Sequence, residues 1–460
     1  MTGNRAIRVA ATSARLLTGA VVAAACAVGM VVAVAAPWPT IAHDPAQAQV
    51  TPQPGDTVVV CNGDFRALGR DSSNPLQMAP AASARFISDA SSGSPEVSPL
   101  TPADLQGGGE VRRLSAAVED GTAPLIGASE SVTVSADDLA GFAAAPCRPA
   151  ASESWLLGGT VAIGSQDLVV LTNPGAVPST VTLTVYGTVR GTSTSIVPAG
   201  GQLAIPLSSI ASGSEAPVVK ISAEGAPVRA VLQSSLTQTL DPIGIDLQDS
   251  LTAPQQHPVI PGVQLFPDES DDSAAAILRL LSPGADTTAH VTVRELGQSR
   301  VASSFDVDLT ADAPTQVGLS NLDPGLYTVY VDAGSSVLAG VRVQDGVAPG
   351  SDFSWVLPAP EIADEVLVAV PAGPSATLYL ANDGESDVTV ALAPTSGGEA
   401  QNITVPAGSS ASAEVDVRAV YSLDPAGPVH AEVAMTAKGA LAAWPVWPGA
   451  AAQQSIVVYP

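Results

Sequence analysis

Four histidines, three cysteines and two short acidic runs are the residues with which this chain could do chemistry. His43, His257, His290 and His430 lie far apart, no two at metal-ligand spacing, and neither His-Glu-x-x-His nor Cys-x-x-Cys occurs. His290 and His430 open strand patterns, where a half-buried or edge histidine is the ordinary outcome. No Gly-x-Ser-x-Gly elbow is present, and no phosphate-cradling glycine loop follows a strand. The runs Asp268-Glu269-Ser270-Asp271-Asp272 and Asn382-Asp383-Gly384-Glu385-Ser386-Asp387 could lend oxygens to calcium, but EF-hand spacing is missing and both read as solvated turns. A glycosidase needs two facing carboxylates, and the sequence does not pair any. The expectation is a non-enzyme with no catalytic residue, no cofactor and no metal site.

Cys61 and Cys147 are expected to form a disulfide, since an exported chain meets an oxidising compartment. Neither has a histidine close in sequence, so a catalytic thiol is not expected. Cys26 sits inside an apolar run and reads as a membrane thiol; the preceding Ala23-Ala24-Ala25 lacks the bulky aliphatic of a lipid-attachment site. Trp155 and Trp355 hold matching positions in a repeat and read as packing residues. Trp444, Trp447 and Tyr421 are the candidate contact aromatics.

The elements that position these residues follow from composition. The chain has 460 residues, enough for about three domains. Only 13% are charged and 4% aromatic; Ala, Val, Ser, Thr, Gly and Pro dominate, a balance that favours strands and turns over helix. The net charge of −26 argues against nucleic acid as a partner, because phosphate binding needs clustered Lys and Arg.

Arg5, Arg8 and Arg15 precede an uncharged apolar run from Leu16 to Ala36. At about 1.5 Å per residue that run spans a bilayer core of roughly 30 Å. The arginines place residues 1–15 in the cytoplasm and the C-terminal bulk outside. The length of 16–36 favours a retained anchor, although Ala33-Val34-Ala35 offers a cleavage site that would make the protein secreted. Residues 37–56, rich in Pro, Ala and Gln, read as a spacer. Residues 57–150 read as a disulfide-closed β-rich region with strand-like pieces at Thr57–Cys61, Ala84–Ser88 and Ser131–Val134, and a short helix candidate at Ala136–Ala144.

From Ser154 the chain repeats with a period near one hundred. SWLLGG, LVVLTNPG, VTLTVYG and SIVPAGG return as FSWVLP, TLYLANDG, VTVALAP and ITVPAGSS, with a divergent middle copy containing ILRLLSPG and HVTVREL. Short Val- and Thr-rich runs closed by Gly or Pro every 8–12 residues predict sandwiches. Three tandem immunoglobulin-like β-sandwiches are expected, at 151–253, 254–352 and 353–460, in a mainly β protein. Asn-x-Gly after the second strand is read as a tight reversal that Asn and Gly tolerate.

The segment Ala145–Pro174, with a cysteine followed shortly by proline, then SWLLGG, then a strand ending in Asn-Pro, resembles the shared core of an uncharacterised family of actinobacterial exported proteins. The VVCNG-like strand at Val58–Gly63 and the N-terminal apolar segment also fit. The resemblance implies a surface role, because such proteins tend to be encoded among envelope-glycan genes. It supplies no site residues. The expected function is that of a non-catalytic envelope scaffold or binding surface, held in the membrane by residues 16–36, with an envelope protein or glycan as partner. A hydrolase acting on envelope polymers and a carbohydrate-binding module are the alternatives.

Overall fold

The computed structural model describes residues 3–35, 48–50, 54–69, 73–74, 77–105, 108–267, 276–319, 322–449 and 456–458. Contacts divide the chain into two units, residues 1–52 with 454–460, and residues 53–453. The first unit holds a helix, Gly3–Ala35, whose 20-residue stretch Arg15–Val34 has a mean hydropathy of 2.4 and is long and apolar enough to cross a membrane. It also holds a small antiparallel ladder between Ala48–Val50 and Ile456–Val458. Residues 48–50, within the expected spacer, are thus strand; 36–47 and 51–53 lie outside the described residues.

The second unit is mainly β. Three blocks of eight strands carry the repeat. The first comprises Glu153–Leu156, Ser165–Asn173, Ser179–Tyr186, Gly191–Val197, Gly201–Pro206, Val218–Gly225, Arg229–Gln238 and Asp241–Asp249. The second runs through Val259–Leu265, Ala276–Leu281, Thr287–Glu295, Val301–Leu309, Thr315–Gly318, Gly325–Ala333, Leu338–Gln344 and Phe353–Val356. The third runs through Val366–Val370, Ser375–Asn382, Val388–Pro394, Gln401–Val405, Ser409–Val415, Ala419–Pro425, Val429–Ala437 and Ala440–Pro445. Counted from one to eight within each block, the strands form two sheets in the same orders every time, 1-6-3-4 and 8-7-2-5. Period-two alternation explains why each pair of sheets closes: in Ser179–Tyr186 the side chains of Val181, Leu183 and Val185 are buried while those between them are not. They share one apolar core with Val169, Leu171 and Leu232 of the opposite sheet. The other two blocks are built likewise.

Phe353–Val356 differs in place from expectation. It pairs with Leu338–Gln344 as the eighth strand of the second block instead of opening the third. Trp355 therefore lies on an eighth strand, whereas Trp155 lies on a first strand beside Val218–Gly225. Both are 3% exposed, as packing residues should be.

Residues 57–150 do not stand apart. Glu96–Pro102 runs parallel to Gly201–Pro206, and Val111–Ala116 and Thr57–Val60 follow it, so the first block's second sheet grows to seven strands. Cys61 and Cys147 form the expected disulfide, with sulfurs buried beside Val59 and Leu114. The helix candidate at 136–144 is corrected: Ile126–Ala136 and Leu139–Pro146 form an antiparallel hairpin turning at Asp137-Asp138. Alanine dominates the second strand because it is covered on both faces. Phe142 and Ala144 enter the third block's core, while Ala143 and Ala145 enter a core shared with Phe65, Val132 and Ile245.

Candidate functional site

The buried charged residues converge where the blocks meet. Asp352, fully buried just before the second block's last strand, accepts four backbone hydrogen bonds. Oδ1 receives Ile245 N at 2.9 Å and Phe353 N at 3.0 Å; Oδ2 receives Phe142 N at 2.9 Å and Leu441 N at 3.0 Å. One carboxylate thus binds the hairpin strand of residues 57–150, the eighth strand of the first block, its own strand, and the eighth strand of the third block. Burial pushes its carboxyl well above the usual range, and the four N–H groups pull the other way. Asp345 reinforces the joint, accepting Asp352 N at 2.7 Å and Gly439 N at 2.6 Å. Asp246 accepts Trp355 N at 3.1 Å, and burial pushes it up to about 8.

A second polar joint lies beside the disulfide. Asp249 takes Arg148 at 2.9 Å and the Trp447 indole N–H at 3.0 Å on one oxygen, and Arg229 at 2.8 Å on the other. The Arg148 guanidinium stacks 3.4 Å from the centre of the Trp447 ring. An open cavity of about 80 Å³ adjoins this cluster, lined by Cys147, Arg148, Val368, Trp444 and Trp447. Glu432 is fully buried, and among the described residues neither of its carboxylate oxygens has a hydrogen-bond partner; burial, with Asp249 nearby, raises its carboxyl well above normal. Glu130, fully buried beside the disulfide loop, accepts Gly63 N at 2.7 Å and Asn62 N, and burial raises it to about 7.

One constellation has catalytic spacing. On the outer face of the second block, His290 Nδ1 lies 2.6 Å from Asp306 Oδ1, and Ser304 Oγ lies 3.0 Å from His290 Nε2. With the Nδ1 proton donated to Asp306, Nε2 is free to accept from the serine hydroxyl, as in a Ser-His-Asp triad. Antiparallel register brings them together: His290 opposes Asp306 and Thr292 opposes Ser304. All three residues are exposed on the sheet face; His290 lies on a strand paired on both sides, and Ser304 and Asp306 on the edge strand Val301–Leu309. Sequence reading missed Ser304 and Asp306, because only strand register makes neighbours of residues 14 and 16 positions away from His290.

The other expected contact residues are distributed as follows. Trp444 is 3% exposed and Tyr421 8%, both within the third block's core, and Trp444 also lines the cavity beside Cys147 and Arg148. Trp447 is half-buried, one face on Arg148. His430 hydrogen-bonds the Ala359 carbonyl at 2.8 Å and approaches Asp383 at 3.6 Å. The run Asp268–Asp272 lies outside the described residues. In the other acidic run, Asp387 accepts Ala407 N at 3.0 Å across the turn. Among the described residues no group of three His, Cys, Asp or Glu is arranged to hold a metal.

A family model described as "Family of unknown function (DUF5719)" matches residues 103–418. No curated protein matches the chain.

Proposed function

The chain belongs to this family of unknown function, and from that premise we propose that it is a non-catalytic scaffold of the cell envelope, of the actinobacterial exported kind that Ala145–Pro174 resembles. Three immunoglobulin-like β-sandwiches form its body, its N-terminal apolar helix tethers it to the membrane, and its bulk stands outside as a contact surface for the machinery of envelope glycan assembly. The observation that carries this reading is the Asp352 carboxylate, whose four backbone hydrogen bonds lock three blocks and the hairpin into one body. A hinged enzyme needs joints that open; here buried charge is used to keep them shut. The buried Cys61–Cys147 disulfide supports an oxidising, extracytoplasmic location.

Live-cell crosslinking followed by mass spectrometry of captured neighbours tests the proposal. A small, reproducible set of envelope-assembly proteins is expected, and it should be lost in Asp352→Ala while the chain remains membrane-associated. Capture of nothing beyond abundant bystanders would overturn it.

The Ser304–His290–Asp306 alignment favours one second reading, a hydrolase. Its test is covalent labelling by a fluorophosphonate probe. Labelling that maps to Ser304 and disappears in His290→Ala would support that reading; an unlabelled Ser304 removes it.

A further inference from the structure

Between the first and second blocks lies a cavity of about 40 Å³ that none of the foregoing uses. Its lining includes Gly159, Asp167, Ser234, Arg279, Arg342 and Trp355. Arg279 is 4% exposed. Its Nη1 donates to the carbonyls of Leu157 at 2.8 Å, Gly159 at 2.9 Å and Pro217 at 3.4 Å, and its Nη2 donates to Gln316 at 3.4 Å. Its Nε is buried without a hydrogen-bond partner among the described residues. Arg342 is half-buried and donates to Gln344. Two guanidiniums thus face one small space, and carbonyl dipoles do not cancel a charge.

The one lining carboxylate is Asp167, which accepts Thr160 N at 2.6 Å. Asp246 lies in the same sheet two strands away, in one row with Ser234 and Asp167; it accepts Trp355 N, and burial pushes its carboxyl up to about 8. Two cations against one anion leave one positive charge uncompensated in a desolvated joint, an arrangement that costs free energy unless a counter-charge enters. A water needs roughly 10–15 Å³ of such space, so the cavity of about 40 Å³ has room for about three or four water-sized bodies. That fits a halide with a water, or a one-carbon carboxylate, and is too small for a phosphate ester or a sugar.

We propose that this cavity binds one small monovalent anion between Arg279 and Arg342, and that the anion fastens the first block to the second. The ligand acts as a removable part of the joint: it binds the closed arrangement only, so it raises stability in proportion to its occupancy.

The test uses the full-length protein in detergent micelles, at one ionic strength, with sodium chloride, bromide, formate or gluconate. Melting temperature should rise saturably with chloride, bromide or formate and not with gluconate, which is too large for the space; the relative half-saturation points decide between halide and carboxylate. Arg342→Gln should abolish the rise. Equal melting curves in all four salts, or an unchanged response in Arg342→Gln, would overturn the proposal. If that variant fails to fold, crystals of the unaltered protein grown with bromide decide the matter: an anomalous peak within contact of both guanidiniums supports the site, and its absence refutes it.

Discussion

Asn173 holds Gly175 by its side chain: Oδ1 accepts Gly175 N at 2.8 Å while Nδ2 donates to the carbonyls of Val177 at 2.9 Å and Val197 at 3.2 Å. Asn382 repeats this with Gly384 at 2.9 Å, Ser386 at 2.8 Å and Val405 at 3.0 Å. The recurring Asn-x-Gly is therefore a side-chain staple between the second strand and the end of the fourth. Neither glycine has a positive φ. A Cβ on either would sit 3.1 Å from the asparagine oxygen, a tight contact that a glycine avoids. Asn382→Ala removes three hydrogen bonds and strands a buried carbonyl, and should cost about 3 kcal/mol. Asn382→Asp should cost no less, because a carboxylate cannot donate to Val405. Chemical denaturation of each variant measures both.

The strands and the disulfide were legible because their signals are local. Val181, Leu183 and Val185 alternate with polar residues, and Cys61 and Cys147 were the two cysteines left outside the apolar run. The helix candidate at 136–144 failed where alternation was erased: Ala143, Ala144 and Ala145 are all buried, in two different cores, so the strand shows no polar face. The joints were illegible for a related reason. Asp352, Glu130 and Glu432 look in sequence like solvated surface acids, and only contacts between segments distant in sequence bury them.

Loss of the disulfide should be felt across the first block. The two cysteines are 86 residues apart, and in the chain-entropy model a loop of that length contributes about 4–5 kcal/mol. Cys61→Ser with Cys147→Ser should lower the unfolding free energy from chemical denaturation by that amount. A shift below about 1 kcal/mol would mean that residual structure already holds these two residues close in the unfolded chain.

Stability should fall as pH rises from about 4 towards 8. Glu130, Asp246 and Glu432 have carboxyls raised above their ordinary values by burial, to about 7, to about 8 and well above normal respectively. In the folded chain they keep protons that the unfolded chain releases near 4. Their stabilising effect is complete below that point and is lost as pH climbs through the folded values. Arg148 and Arg279 are lowered only to about 10 and 9, so they do not titrate in this window. Glu432→Gln keeps the shape without the proton and should remove about 1.4 kcal/mol per pH unit of the slope. Urea midpoints recorded from pH 4 to pH 8 for both proteins decide this.

The divergent middle copy shows which part of the repeat is indispensable. Gly200 and Gly408 close the fourth-strand turns at φ 61° and 60°, and Asp312 takes the same left-handed conformation at φ 64°. Aspartate is one of the few residues besides glycine that enter that region, at some cost, and here it replaces the missing asparagine: Ser282 stands where Asn173 and Asn382 stand, and Asp312 Oδ1 accepts Gly284 N at 2.9 Å. The staple has moved from the second strand to the facing turn. Asp312→Gly should relieve the backbone and lose the hydrogen bond, two effects of about 1 kcal/mol each that nearly cancel. Asp312→Ala keeps the backbone cost and loses the bond, so it should destabilise by about 1 kcal/mol relative to both the native protein and the glycine variant. Asp312→Asn should match the native protein to within about 0.5 kcal/mol, because the oxygen that meets Gly284 survives and the ion pair to Arg190 is an exposed one. An alanine variant as stable as the asparagine and glycine variants would place the turn's stability elsewhere than in this side chain.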